Sequence, residues 1–242
     1  MNIANINKQS SVVVNKGYSM RENLEIRQQI IDAAIDLHIT TGGNFTLKQL
    51  CQKAKIKQGE FYQQFNSKNQ VLGQFYPLCV QRCREMSLQI EAYHSMSLAE
   101  KLGNFIYMMF DLLQEQREFV DETFGEMVFQ NTGTVFHREV ADVIGEILES
   151  DPQIPDLQRS FLLNAQMYDV LAKEYIHLLK FWLSDDSQNF EKSMALTDKL
   201  VNFLEEVLHS NVIGRAADLL KFFVQNDVVK LNFPLIKWLI QR

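Results

Sequence analysis

The sequence predicts an all-α protein, with a small N-terminal three-helix unit of helix-turn-helix type ahead of a larger helical part, and three observations carry that expectation. Apolar residues recur at spacings of three and four over most of the 242 residues, few strand-like alternating runs occur, and only 4 prolines and 10 glycines interrupt the pattern. Capping signals open several of the periodic stretches. With 46% hydrophobic residues the chain can bury a sizeable core, and its length suits one small and one larger domain.

Taken in order, residues 1–19 read as a disordered arm. Val12 to Val14 is the longest apolar stretch of the first twenty residues, too short for a signal-peptide core, and no run of eighteen apolar residues occurs, so a cytoplasmic protein without membrane contact is expected. From about Arg21, Ile26, Ile30, Ala33, Ala34 and Leu37 share one face of a helix that ends at Thr41, because Gly42 can take the left-handed conformation. Thr46 and Gln49 form a capping box, and Leu47, Leu50, Cys51 and Ala54 follow at helical spacing. After a break at Lys55-Ile56-Lys57, Phe61 and Phe65 make an i, i+4 apolar pair on a second, shorter helix whose Gln58, Tyr62 and Gln63 point elsewhere. Ser67 to Gln70 repeats the capping box, so a further helix is expected from Ser67 toward Tyr93 with a kink at Pro77.

Charge is divided unevenly. Residues 1–75 hold 9 Lys and Arg against 5 Asp and Glu, a net of +4, whereas 76–242 hold 15 against 25, a net of −10. The overall acidity therefore does not argue against a nucleic-acid partner for the N-terminal part.

At these residues the chain resembles the N-terminal domain of the TetR family of bacterial transcription regulators. The likeness runs from Ile30-Ile31-Asp32-Ala33-Ala34 through Phe45-Thr46-Leu47 and Leu50 to Gly59-Glu60-Phe61-Tyr62 and Phe65-Asn66-Ser67-Lys68, roughly the first quarter of the chain. It implies a DNA-binding domain over 20–66, a ligand-binding and dimerisation domain over 67–242, and a homodimer on a palindromic double-stranded operator. Repression is the mode implied. The helix from about Lys57 to Gln64 would enter the major groove, with Gln58, Tyr62 and Gln63 facing base edges and backbone. Thr46, Lys48, Lys57 and Lys68 would hold phosphates. Two departures stand out: Lys55 occupies the usual glycine of the turn, at a left-handed cost, and Lys57 the usual hydroxyl cap, while Glu60 brings a carboxylate near phosphates.

Farther on, Ser97 and Glu100 form another capping box and open a helix with Leu102, Phe105, Ile106 and Met109 inward; helices of about 116–130 and 135–149 follow, then a loop at Asp151 to Pro155. Over 156–183, Phe161, Ala165, Tyr168, Ala172, Tyr175, Leu179 and Trp182 keep the narrow seam of a helix packed on a partner helix. The next helix, capped by Ser187, offers Phe203 and Val207 among its apolar residues. The resemblance implies a four-helix dimer interface from two such late helices, and an ordinary monomer core is the competing account of the same spacing. Phe105, Met109, Phe124, Met127, Met167 and Tyr168 supply aromatic and thioether surface suited to a small apolar effector. The stretch from Phe181 to Glu191 also resembles lipid-binding relatives of this fold that serve ubiquinone synthesis. The alternative function is accordingly a lipid or small-molecule binder on the same scaffold with weakened DNA binding.

Catalysis is not expected, since no nucleophile-base pair, phosphate-binding glycine loop or paired carboxylates stand out. No cofactor is expected. Three cysteines form no framework, the five histidines are scattered, and Cys51 reads as core, with Cys79 and Cys83 the one i, i+4 pair. The tail from Val212 carries apolar helices over 217–223 and 235–240.

Overall fold

The structure, a computed structural model, describes residues 24–131 and 133–210. The expected arm over 1–19 and the tail helices lie outside those residues. The described residues form ten α-helices and no strand: α1 (24–41), α2 (Leu47–Lys53), α3 (Gln58–Gln64), α4 (Phe75–Leu88), α5 (Leu98–Gln114), α6 (Arg117–Phe124), α7 (Val135–Glu149), α8 (Asp156–Leu162), α9 (Ala165–Leu183) and α10 (Glu191–His209). They divide between two compact units, drawn from Met1–Leu88 with Met108–Glu139 and from Gln89–Tyr107 with Val140–Arg242. None of the helices is long and apolar enough to cross a membrane.

In the first unit α1 ends as its sequence requires: Gly42 lies at φ 62° and the Gly43 N–H donates to the His38 carbonyl at 2.9 Å, a six-to-one closure only a left-handed residue permits cheaply. Ile30, Ile31, Ala34, Leu50, Phe61 and Val71 are buried without solvent contact and form the small core of the first three helices. The α-helix expected from Ser67 is not there. Residues Lys68–Gln70 and Leu72–Gln74 form two 3-10 turns, the Ser67 side chain caps nothing, and α4 starts at Phe75. Pro77 explains this: in a continuous helix its ring would meet the Gly73 carbonyl four residues back and one backbone bond would be lost. As third residue of α4 it sits where the N–H is free anyway, so the expected kink becomes a helix start.

Aromatic packing then ties α4 to α6 and to the start of α7. Phe75 and Phe119 meet edge to face at 5.4 Å, Tyr76 meets Phe124 at 6.0 Å and Phe136 at 5.8 Å, and the Tyr76 and Thr123 hydroxyls hydrogen-bond at 2.9 Å. A π-turn, Gly125–Phe129, continues α6. Cys51, Cys79 and Cys83 are free and buried. Burial pushes the Cys83 thiol up to about 12 and raises Cys79 as well, so both pack as neutral thiols, which argues against a redox pair.

In the second unit the Ser97 and Glu100 capping box opens α5, with Ser97 N–H to Glu100 Oε2 at 2.7 Å and Glu100 N–H to Ser97 Oγ at 3.2 Å. Phe105 stacks on Tyr175 of α9 at 5.3 Å, and Trp182 of α9 meets Phe190 at 5.6 Å. Between α9 and α10 the chain passes through two consecutive left-handed residues, Asn189 at φ 52° and Phe190 at φ 58°. The Asp185 carboxylate holds this corner, accepting from the amide and hydroxyl of Ser187 at 2.9 and 2.6 Å and of Ser193 at 2.8 and 2.6 Å. Desolvation opposes ionisation of Asp185, but these four donors outweigh it and hold the carboxyl well below the usual carboxylate range. A carboxyl so lowered contributes stability that is complete above its unfolded value of about 3.9 and is lost as pH falls through the folded one. Asp185→Asn is therefore expected to melt at a lower temperature than the wild type at neutral pH, with the gap closing toward about pH 2, as read by thermal melts across that range.

Candidate nucleic-acid interface

Local hydrogen bonds build the turn between α2 and α3. Thr46 and Gln49 close the expected capping box, Thr46 N–H to Gln49 Oε1 at 2.8 Å and Gln49 N–H to Thr46 Oγ1 at 3.3 Å, and the Thr46 hydroxyl also donates to Gln49. At the other end of α2 the Lys55 N–H donates to Gln52 and the Ile56 N–H to Cys51, at 3.2 and 3.0 Å, with Lys55 at φ 53°. This is the closure a glycine ordinarily makes, carried here by a lysine with the left-handed cost expected for it. Gln29 of α1 holds the same turn from behind, donating to the Ala54 carbonyl at 2.8 Å.

The start of α3 accounts for Lys57 and Glu60 together. Lys57 is the N-cap residue and offers no side-chain acceptor, yet its N–H donates to the Glu60 carboxylate at 2.6 Å. Glu60 is thus half of a capping box, placed where the helix dipole favours a negative charge. The place at the α3 N-terminus that a phosphate could take is already held by this side chain.

Phe61 and Phe65 are buried, 5.8 Å apart, and the Arg27 guanidinium lies 5.1 Å over the Phe65 ring. The opposite face of α3 is open: Gln58 and Gln63 are exposed, and Tyr62 is 57% exposed. Thr46, Lys48 and Lys57 are exposed too. Lys68 differs, being half-buried, donating to the Phe45 carbonyl and lying 4.5 Å over the Phe45 ring. It ties the connector to the loop before α2. Lys55, noticed in the sequence only for its backbone, is a further exposed cation on this turn, while Lys53 pairs with Asp36.

The residues expected to line a ligand site are not gathered in one place. Phe105 lines an apolar groove of about 410 Å³ in the second unit, Met127 lines a separate cavity in the first, and Met109 and Phe124 are buried core. Met167 and Tyr168 are half-buried in the first turn of α9, where the Tyr168 hydroxyl donates to Glu149 at 2.8 Å. Periodicity marks a position as inward without saying which neighbours meet there.

The seam over 156–183 is also cut. The chain leaves the helix at Leu163, and Asn164 caps α9 by accepting from the Met167 N–H at 3.1 Å, so Phe161 belongs to α8. Ala172, Tyr175 and Leu179 are buried inside their own unit, Ala165 is exposed, and Tyr168 and Val207 are half-buried. Of the residues expected at an interface, Phe203 of α10 is 65% and Phe161 of α8 64% exposed, and beside them α9 and α10 expose Val170 at 50%, Phe181 at 40% and Leu200 at 46%. Phe181, Leu200 and Phe203 border the groove, whose walls include Leu171, Leu178 and Leu204. Among the described residues no group of three metal-ligating side chains occurs.

Described residues that are helical throughout the regular structure, with a three-helix helix-turn-helix unit ahead of the rest, define the class. The family profile described as tetracyclin repressor-like, C-terminal domain, matches residues 101–223, just over half of the chain. The chain belongs to the TetR family of regulators. No curated protein matches it.

Lys55→Gly removes the left-handed cost and is expected to stabilise the protein by about 1 kcal/mol, a rise of about 2–4 °C in melting temperature. Calorimetric or circular-dichroism melts of the two proteins check it.

Proposed function

We propose that the chain is a ligand-responsive transcription regulator, a repressor in mode, that binds a palindromic operator as a homodimer. One observation carries the proposal: α3 buries Phe61 completely while leaving Gln58, Tyr62 and Gln63 exposed, so the side chains outside the core are the ones able to address a groove. Exposed Lys48, Lys55 and Lys57 flank them and would meet phosphates. Lys68 contributes by fixing the connector, through Phe45, more than by charge.

The net of +4 over residues 1–75 is modest, so one copy neutralises few phosphates and a second is required for affinity. The exposed apolar face of α9 and α10 supplies a place for it. Leu200, Phe203 and Phe181 around a groove are more than a soluble surface leaves wet, and a two-fold pairing would bury them against the same helices of the partner. A stable pairing buries about 1,600 Å² in total. Effector binding would alter the spacing of the two α3 helices from the roughly 34–36 Å of adjacent major grooves and release the operator.

A second proposal is favoured by the groove itself. Its walls are almost wholly apolar, and a lipid or other apolar molecule would fill it if the DNA surface, with Glu60 in place, has weakened.

Two measurements separate these. Binding to the DNA upstream of its own coding region is expected to weaken with salt, log affinity falling with a slope of about −5 for six phosphates in a dimer. Lys57→Ala is expected to reduce that slope by about 2, and Tyr62→Ala to weaken binding while changing stability by less than about 0.5 kcal/mol. Salt-independent or absent binding, with co-purified lipid, sinks the regulator. For the pairing, Leu200→Glu with Phe203→Glu is expected to halve the mass measured by light scattering; an unchanged mass removes this face as the interface.

A further inference from the structure

The apolar groove of the second unit has a volume of about 410 Å³ and is lined from α5, α7, α9 and α10. Phe105 and Ile106 of α5 are buried, whereas Phe181 of α9 and Leu200 and Phe203 of α10 are exposed. Among the described residues of the lining the one carboxylate is Glu174, itself exposed. Apolar groups that enter such a groove are stabilised by leaving water, and polar groups without partners are not.

The chain leaves α10 close to this groove. Leu204 and Leu200 line it, and Ser210, where the backbone turns extended at φ −74° and ψ 145°, closes the same helix. Along the axis Ser210 lies about 9 Å beyond Leu204 and about 15 Å beyond Leu200. The exit is held in place: the His209 imidazole meets the Asp151 carboxylate at 2.6 Å, and the fully buried Gln158 of α8 donates its amide to the Ser210 carbonyl. Residues 211–242 follow from there.

Their sequence suits the groove. Ala216, Leu219, Leu220 and Phe223 recur at the i, i+3, i+4, i+7 spacing of one helix face, with Val224 beside them, while Arg215, Asp218, Lys221, Phe222 and Gln225 fall on the other arc. The link over 211–215 can span at most about 17 Å, enough to return beside Leu204 and Leu200. Charge favours the return as well. Residues 211–242 carry Arg215, Lys221, Lys230, Lys237 and Arg242 against Asp218 and Asp227, a net of +3, whereas 140–210 hold 5 Lys and Arg against 13 Asp and Glu, a net of −8. A segment on so short a tether stands at an effective concentration of roughly millimolar order, so it outcompetes a second copy for the same place.

We propose that residues 216–224 of the same chain occupy the groove, with Leu219, Leu220 and Phe223 turned into it. The pairing proposed above is not displaced, because it needs about 800 Å² from each copy, and Phe161 and Val170 lie off the lining. An apolar ligand, in contrast, reaches the groove only by displacing the segment. Neither operator binding nor pairing enters the inference.

Nile red, a neutral dye that brightens in apolar surroundings, is titrated into the full chain as the probe. Leu219→Asp with Phe223→Asp is expected to raise its fluorescence over the wild type by about threefold or more, since the groove is then open. Phe222→Asp, on the opposite arc, is expected to leave it at the wild-type level. In a separate full-length variant, Leu204→Cys with Leu220→Cys, a short bismaleimide is expected to join the two cysteines within one chain, seen as a monomer band on a denaturing gel and as linked peptides in its digest. Cys51, Cys79 and Cys83 are buried and stay out of the reaction. If the paired aspartates prevent folding, the cysteine pair decides alone. Equal dye fluorescence in the aspartate pair and the wild type, an equal rise in Phe222→Asp, or the absence of the link overturns the proposal. A link that joins two chains overturns it too and hands the groove to a second copy. A chain that gives the link within itself but binds no DNA, or weighs as a monomer, refutes the readings above and leaves this one standing.

Discussion

A helix of seven residues has no stability of its own in water, because the cost of its first turn is never recovered over so short a length. The outward helix α3 exists only because Phe61 and Phe65 are buried on the first two helices and Glu60 satisfies the Lys57 amide. Everything proposed for the exposed face is a consequence of that hidden one. Exposed side chains are held in place by the buried ones on the opposite face of the same helix. The arrangement also accounts for Glu60. In isolation its carboxylate is a liability beside a polyanion; in place it takes over the capping that Lys57 does not provide.

The same constraint continues beyond α3. Pro77 prevents an α-helix from running back to Ser67, so the link between α3 and α4 is made of weaker 3-10 turns pinned at Lys68 and Val71. Below the link the aromatic ring contacts of Phe75, Tyr76, Phe119, Phe124 and Phe136 form a rigid base.

Local signals in the sequence were the most legible. The capping boxes at Thr46 and Ser97, the glycine stop at Gly42, the limits of α7 and the proline-marked loop after it all follow from signals within a few residues of one another, which any single sequence contains. Ser67 misled because a proline ten residues away overrode the same local signal. The seam over 156–183 misled for another reason: Ala172, Tyr175 and Leu179 bury against their own unit, and spacing cannot tell a neighbour in the same chain from one in another. Exposure reveals Val170 and Phe181, which no period singled out, beside Phe203, which the sequence had offered for an interface. Likewise Phe105 and Met127 share a chemistry without sharing a cavity.

The left-handed corner at Asn189 and Phe190 sets the rotational phase of α10. Each residue added to or removed from such a corner turns the following helix by about 100° about its axis. One deletion there would carry Leu200 and Phe203 round to a different compass bearing and bring the buried Thr197 and Val201 toward water in their stead. Length in this short corner is therefore under tighter restraint than composition, and insertions that most surface loops absorb would here rewrite which face of the last described helix is oily.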